Sequence, residues 1–222
     1  MLRRLRDLQA WTVETRDDRV VGRVDDFYLD DRRWTVRYIA VNVGNWVPQR
    51  QVLISTLGIE GIDWDGTRIV TDLTREQVKQ PPSNGEWAAD PKPFRRRDAA
   101  GAAFAALHEE NRFSLHSVYS VGGCYIQALD GKVGQIEDVI ADDDVWAIRY
   151  LAVDATQWIG GTMLVPPELI RRVDWETGTV HVKVAREDLK SSRPYHPRIE
   201  VEGAPEERRS AQYRQPAYWV TP

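Results

Sequence analysis

The sequence predicts a mainly β protein made of two tandem small β-barrels, with short helices, an extended linker and a tail. Residues 22–41 read GRVDDFYLDDRRWTVRYIAV, and residues 134–153 read GQIEDVIADDDVWAIRYLAV. An offset of 112 residues relates the two segments, so the chain contains one unit twice. Each copy has about 75 residues. Two copies of this length are typical of separate small domains and not of a solenoid.

The repeat divides the chain into four regions. The first copy is predicted to occupy residues 2–80, and the second copy residues 115–191. Residues 81–114 begin with the Pro-rich PPSNGEWAADPKPF and continue with an Ala-rich stretch, which predicts a linker followed by a helix. Residues 192–222 are predicted to be an extended tail with aromatic residues near its end.

Alternating β-branched and aromatic residues predict the strands of each copy. WTVRYIAVNV and WAIRYLAVDA carry apolar residues on both faces, which is typical of a strand covered on both sides, as in a small barrel. The Asp-rich segments before them predict turns. Thr74 and Gln77 have the spacing of a capping box and predict a short helix at the end of the first copy. The second copy has Ala185 at the cap, so the start of its helix is less well defined.

The ordered series of motifs resembles the PRC-barrel family. It comprises Gly-x-(Val/Ile)-(Asp/Glu)-Asp, the Asp-rich turn, the RY strand, LVPPELI at 164–170 and DLTREQVK at 72–79. The first copy departs from the pattern, because it has LISTL where the second has VPPEL. The resemblance implies a small, partly open β-barrel, known from the cytoplasmic part of the photosynthetic reaction-centre H subunit and from a ribosome maturation factor. The tandem pair with an aromatic tail is similar to a group of bacterial tandem PRC-barrel proteins.

Composition and charge disfavour several classes of protein. The formal net charge is -4, and basic residues cluster only at 95–97, so a nucleic-acid partner is not expected. No apolar run approaches the roughly 18 residues that a membrane span needs. Peripheral docking to a membrane stays open. The single cysteine, Cys124, cannot form an internal disulfide, which fits the cytoplasm as the expected location.

The residues predict no catalytic, cofactor or metal site, and therefore no enzyme. The acidic pairs lack the alternating oxygen ligands, the Gly and the later Glu of a calcium loop. The four histidines have no zinc-ligand spacing. Cys124 takes the place of Trp11 in the first copy, which favours a small core residue over a catalytic thiol.

Two arginines stand inside apolar strands, where an unpaired buried charge is very unfavourable. We expect each to pair with an acidic residue of the opening strand of its own copy. The predicted partners are Asp25 or Asp26 for Arg37, and Glu137 or Asp138 for Arg149. The alternative is a mostly exposed arginine at a strand edge.

Five aromatic residues are candidates for an interface. Trp46 and Trp158 stand in predicted loops, where they either contact a partner or pack into the core. Tyr213, Tyr218 and Trp219 lie in the tail, where they either pack back onto a barrel or form a Pro-flanked peptide for a partner's groove.

The predicted function is a non-enzymatic adaptor that binds another protein or a second copy of itself as a homodimer. The resemblance implies two alternatives. One is a peripheral component of a membrane photosynthetic or electron-transfer complex, like the H subunit. The other is an RNA or ribosome maturation accessory factor, against which the acidic balance argues.

Overall fold

The structure is a computed structural model, and it describes residues 1–44, 51–79 and 114–190. It confirms a mainly β fold with two sheets of seven strands each. The chain divides into two compact units. Of the described residues, those between 5 and 119 form the first unit, and residues 1–4 and 120–190 form the second unit.

The sheet of the first unit has the order β5-β4-β3-β2-β7-β6, and β8 pairs with β3 beside this path. The pairs are antiparallel except for β2 with β7. Its strands are β2 (Thr12–Thr15), β3 (Val20–Asp30), β4 (Thr35–Asn42), β5 (Gln51–Ser55), β6 (Ile59–Asp63), β7 (Arg68–Thr71) and β8 (Leu115–Ser117).

The sheet of the second unit repeats this order as β12-β11-β10-β9-β14-β13, and β1 pairs with β10 beside the path. The parallel pair is β9 with β14. Its strands are β1 (Leu2–Arg4), β9 (Tyr125–Ala128), β10 (Gly131–Asp142), β11 (Ile148–Asp154), β12 (Thr162–Val165), β13 (Ile170–Asp174) and β14 (Thr179–Val182). In the described part of the chain, neither sheet closes into a complete barrel.

The helices are short and lie between strands or after them. They are α1 (Arg75–Lys79), α2 (Val118–Val121), α3 (Thr156–Ile159) and α4 (Arg186–Lys190), with 3-10 turns at Leu5–Leu8, Thr56–Gly58 and Pro167–Leu169. The predicted capping box is confirmed, because the Gln77 amide donates 3.3 Å to Thr74 Oγ1 and the Thr74 amide donates 2.8 Å to Gln77 Oε1. In the second unit Asp188 replaces this cap and accepts from the Ala185 amide at 3.2 Å.

The two units differ from the predicted domain boundaries at the first strand of each copy. By sequence, β1 belongs to the copy at 2–80 and β8 to the copy at 115–191. In the structure β1 joins the sheet of the second unit, and β8 joins the sheet of the first. Each unit therefore contains most of one copy and the first strand of the other.

The long strands β3 and β10 each need one glycine for close approach to the next strand. A Cβ atom at Gly22 would overlap the carbonyl oxygen of Asn42, and one at Gly134 would overlap that of Asp154. The two positions are equivalent in the repeat. This steric requirement explains why both copies begin the motif with Gly.

Candidate functional site

The pairing of each long strand with the next one, β3 with β4 and β10 with β11, is irregular at two places, and these bulges position the predicted charged residues. Tyr38 lies opposite Tyr28 and Val36 opposite Leu29, so Arg37 is the extra residue of a bulge in β4. Tyr150 lies opposite Ile140 and Ile148 opposite Ala141, so Arg149 has the same position in β11. A bulge residue has no single residue opposite it and is aimed differently from its neighbours.

Both arginines form ion pairs with their opening strands, as predicted, but at a different residue. Arg37 Nη2 lies 3.7 Å from Asp30 Oδ2, and Arg149 Nη2 lies 3.6 Å from Asp142 Oδ2. The sequence predicts Asp25 or Asp26, and Glu137 or Asp138, as the partners. The strand register explains why the arginines lie at Asp30 and Asp142 instead. Asp26 lies opposite Ala40, so it is several residues along the ladder from the bulge at Arg37.

Two acidic residues are candidates for each arginine, and the first of the two, Asp25 or Glu137, also lies in a bulge. Asp25 falls between the pairs Val24–Val41 and Asp26–Ala40, and Glu137 has the equivalent place in β10. The Gln51 side-chain amide donates to Asp25, and Thr162 Oγ1 donates to Glu137 Oε1 at 2.8 Å. In both units the bulged carboxylate therefore bonds to the strand two positions away, β5 or β12.

The second candidate, Asp26 or Asp138, is buried. It lies beside the strand that the other copy supplies, β8 or β1, which we call the exchanged strand. Asp26 is 6% exposed and accepts hydrogen bonds from the Ser117 hydroxyl, the Phe27 amide at 2.8 Å and the Tyr119 amide at 3.3 Å. Loss of hydration raises its pKa, while these hydrogen bonds oppose the rise. Ser117 belongs to β8, so the buried carboxylate holds the third residue of that strand.

The equivalent carboxylate in the second unit also contacts β1, here through a charged side chain at ion-pair distance. Asp138 is 7% exposed, and its Oδ2 lies 4.0 Å from Arg4 Nε. Its own strand supplies a further donor, the Val139 amide at 2.8 Å. Arg4 is the third residue of β1, as Ser117 is the third residue of β8. Asp26 and Asp138 are thus contact points for a strand from the other copy.

Each exchanged strand also inserts a leucine into an apolar cluster. Leu115 packs against Tyr28, Ala40 and Leu53, with Tyr38 at the side. In the second unit, Leu2 packs in the same manner against Ile140, Tyr150, Ala152 and Leu164. We call the receiving surface of β3 or β10, with its leucine pocket and its buried Asp, the strand slot. Sequence reasoning missed it, although Leu2-Arg3-Arg4 and Leu115-His116-Ser117 are equivalent in the repeat.

Trp158, the described interface candidate, lies on α3 and is half-buried. The guanidinium carbon of Arg186 lies 6.0 Å from the centre of its ring, within the range of a cation–π contact. Arg186 is fixed by Asp130, which accepts from its backbone amide at 2.8 Å and lies 3.7 Å from its Nε. The neighbouring Leu129 is 65% exposed. We call Leu129, Asp130, Trp158 and Arg186 the Trp158 patch.

The other interface candidates, Trp46, Tyr213, Tyr218 and Trp219, lie outside the described residues. The linker and tail predicted at 81–114 and 192–222 also lie outside them, apart from Ser114. Within residues 1–44, 51–79 and 114–190, every helix is too short or too polar to span a bilayer.

The Cys124 thiol and the carboxylates of residues 142–144 are groups that could react or bind a metal, and their surroundings favour a structural role. Cys124 is 5% exposed, and burial raises the pKa of its thiol, which disfavours the nucleophilic thiolate. Asp142, Asp143 and Asp144 bring carboxylate oxygens within 4.8 Å of one another. All three face protein cations. Arg149 lies 3.6 Å from Asp142, Arg3 Nε lies 3.6 Å from Asp143, and the amino group of Met1 lies 3.4 Å from Asp144.

Comparison with known proteins identifies part of the chain. The model of the PRC-barrel domain family matches residues 2–78. This range runs from the first residue of β1 into α1. A second sheet-rich region of similar size and the same strand order follows it. No curated protein matches the chain.

Proposed function

Because residues 2–78 are a PRC-barrel domain and a second sheet of the same strand order follows, we propose that this protein is a non-enzymatic protein-interaction module. A fold does not by itself specify a function, so the proposal needs a surface. The proposed interaction surface is the Trp158 patch. The partner it fits is a protein with an apolar or aromatic contact residue and an acidic group at the rim of the contact.

The chemistry of the patch supports this assignment. Trp and Arg are the residue types that most often carry binding energy at protein interfaces. Here the indole is held under a guanidinium that Asp130 orients, so the pair loses little side-chain freedom on binding. Leu129, which precedes Asp130 in the chain, is 65% exposed and adds apolar surface.

A second stacked pair lies on the same β9–β10 hairpin. Tyr125 is 45% exposed, and Lys132 Nζ lies 5.2 Å from the centre of its ring. Tyrosine is also enriched at interfaces, where it combines apolar contact with a hydroxyl. The hairpin thus offers aromatic and cationic groups on the described surface of the second unit.

The test is affinity purification of the tagged protein from its native cells, with three forms compared. The wild type is expected to retain a stoichiometric protein partner, and Trp158→Ala is expected to lose it. Tyr119→Ala is the matched control, because Tyr119 is an aromatic residue that is 81% exposed and belongs to the first unit. This variant should retain the partner.

The same preparation separates the proposal from its alternatives. Equal recovery of the partner with Trp158→Ala and Tyr119→Ala would remove the patch from the interface. A partner-free protein that carries a bound small molecule would contradict the adaptor function. Recovery with membrane fractions would favour the peripheral membrane-complex alternative, and recovery with ribosomal particles would favour the maturation alternative.

A further inference from the structure

A cleft of about 770 Å³ lies on the first unit, where β3 begins and β4 ends. Its described lining residues all lie between 10 and 44. Valine side chains supply most of its apolar wall, and four polar residues also line it: Thr12, Arg23, Asp25 and Asn42. Sites for small molecules in proteins have this size and this combination of an apolar wall with a few polar groups.

Three of the polar residues are neighbours in one row across the sheet. Arg23 of β3 lies opposite Thr12 of β2 on one side and opposite Asn42 of β4 on the other. Directly opposite residues of antiparallel strands place their side chains on the same face, with Cβ atoms about 4.5–5.5 Å apart. The row therefore brings a hydroxyl, a guanidinium and a carboxamide together at the wall of the cleft.

The donor groups of this row are available to a ligand. Within the part of the chain that the structure describes, the Arg23 guanidinium forms no ion pair and the Thr12 hydroxyl forms no hydrogen bond. Asn42 Oδ1 accepts from the Gly44 amide at 3.0 Å, which leaves the NH2 group of Asn42 to donate. Arg23 and Asn42 are both exposed.

The equivalent row of the second unit differs in its polar groups. There Gln135 lies opposite Tyr125 on one side and Asp154 on the other, so this row contains no cation. Gln135 Nε2 donates 3.0 Å to the carbonyl of Gly123, and Asp154 accepts from the Thr156 amide at 2.9 Å. The same strand frame thus carries a row that bonds within its unit in one copy and a row with open donors in the other.

Asp25 places an anion in the same cleft, two residues after Arg23. It is the extra residue of a bulge, and its carboxylate accepts from the side-chain amide of Gln51, which is 7% exposed. Among the described residues, Asp25 and Arg23 form no ion pair with each other. Two residues along a strand span roughly 6–7 Å, so a small ligand can lie between the two charges.

We propose that this cleft binds a zwitterionic α-amino acid with an apolar side chain. The ligand carboxylate lies at Arg23, Thr12 and Asn42, where a planar guanidinium can bind two oxygens at once. The ligand ammonium lies at Asp25, and the ligand side chain packs on the valines of the wall. A ligand with one charge of each sign matches both charges of the cleft, whereas Asp25 repels a dianion such as phosphate. This inference goes beyond the proposed interaction function and does not depend on the Trp158 patch.

Titration of the full chain with L-leucine, followed by ¹H–¹⁵N NMR, tests the proposal. Saturable shifts are expected at the backbone amides of Arg23 and Asn42. Two fragments of the ligand are titrated in parallel, 4-methylpentanoate without the ammonium and 3-methylbutylamine without the carboxylate. Each should bind about tenfold more weakly than L-leucine, because it leaves one charged group of the cleft without its partner.

Two substitutions and a matched control assign the roles within the cleft. Arg23→Gln should weaken L-leucine binding about tenfold or more. Asp25→Asn should also weaken L-leucine, but it should leave 4-methylpentanoate as tightly bound as before or tighter, because it removes a repulsion. Arg171→Gln is the control, since Arg171 is an exposed arginine of β13 in the second unit, and it should bind L-leucine like the wild type.

Several results would overturn the proposal, and the spectra of the variants show directly that each is folded. One is the absence of saturable shifts at the cleft with L-leucine, L-valine and L-phenylalanine. Another is equal affinity of Arg23→Gln and Arg171→Gln. Binding of 4-methylpentanoate as tight as that of L-leucine would exclude recognition of a zwitterion. Loss of a cellular partner in Trp158→Ala would leave all these titrations unchanged, so the two proposals fail separately.

Discussion

Leu2 occupies in the second unit the position that Leu115 occupies in the first, although each leucine belongs by sequence to the other copy. Leu115 is packed by Tyr28, Ala40 and Leu53, and Leu2 by the equivalent cluster around Ile140. The apolar pocket of each slot is therefore completed from outside its copy. Removal of the first residues of either copy is expected to damage the unit built on the other.

Leu115→Ala should destabilise the first unit. Leu115 is 2% exposed, and truncation of a buried leucine costs about 2–5 kcal/mol through lost burial and a residual cavity. Leu57→Ala is the control, because Leu57 is 85% exposed and should change the free energy of unfolding by no more than about 0.5 kcal/mol. Urea unfolding measures both. Equal effects of the two substitutions would show that the pocket does not contribute to stability.

Asp26→Asn should make the protein less sensitive to pH. The folded-state pKa of Asp26 is raised above its unfolded value of 3.8, chiefly by loss of hydration, so the native state holds this proton more tightly than the unfolded chain. The stability that Asp26 contributes is present below pH 3.8 and is lost as the pH rises through the folded pKa. The substitution removes this loss, while its amide can still accept from the Phe27 amide and donate to Ser117.

Urea unfolding at a series of pH values from acidic to neutral tests this prediction. The stability of Asp26→Asn relative to wild type should rise with pH across the window above 3.8. Asp174→Asn should show the opposite sign, because hydrogen bonds from Thr177 lower the pKa of Asp174. The stability that Asp174 contributes is present above pH 3.8 and is lost as the pH falls through its folded pKa. A difference for Asp26→Asn that does not vary with pH would contradict the assignment.

Gly22→Ala and Gly134→Ala should each destabilise the strand pair that they join. The added methyl group would overlap the carbonyl oxygen of Asn42 or of Asp154. Backbone shifts forced by overpacking cost about 1–3 kcal/mol or more. Gly61→Ala is the matched control on a strand, since a Cβ there meets no atom within 4 Å. Thermal unfolding measures the three variants. If Gly61→Ala lowered the melting temperature as much as the other two substitutions, steric overlap would not be the cause of their destabilisation.

The two arginine pairs should differ in coupling energy although their distances are nearly equal. Arg37 lies 3.7 Å from Asp30, whose side chain is 1% exposed, and Arg149 lies 3.6 Å from Asp142, which is 23% exposed. A charge pair with less water around it is less screened. Double-mutant cycles with Arg→Gln and Asp→Asn should give about 0.5–3 kcal/mol for the first pair and a smaller value for the second. The reverse order would contradict burial as the deciding factor.

Much of the fold could be predicted because its signals are local. The capping box of Thr74 and Gln77, the turn after Asp30 and the two-sided strand around Ile39 all depend on residues close in sequence. Each arginine pairs with an acidic residue of the opening strand of its copy, as predicted, but the residues are Asp30 and Asp142. A bulge shifts the register by one position, and no local pattern shows where that shift falls.

The interface candidates show a similar division between local and long-range signals. The sequence predicts Trp158 in a loop, at an interface or in the core, whereas the structure places it half-buried on α3. No sequence pattern associates it with Arg186, which is 28 residues further along the chain. That contact exists because Asp130, in the turn between β9 and β10, accepts a hydrogen bond from the backbone amide of Arg186 at the start of α4. Association of this kind depends on packing between elements.

By itself, the sequence determined the duplication, the β class and the motifs of each copy, because these follow from periodicity and from residue types at fixed spacing. Only the tertiary structure decided which sheet receives each first strand. Leu2–Arg4 and Leu115–Ser117 both begin with Leu, and β10 and β3 offer them the same antiparallel pairing. The choice between two equivalent slots is made by chain connectivity, because Leu5 is buried directly after Arg4 and leaves no residue for a turn.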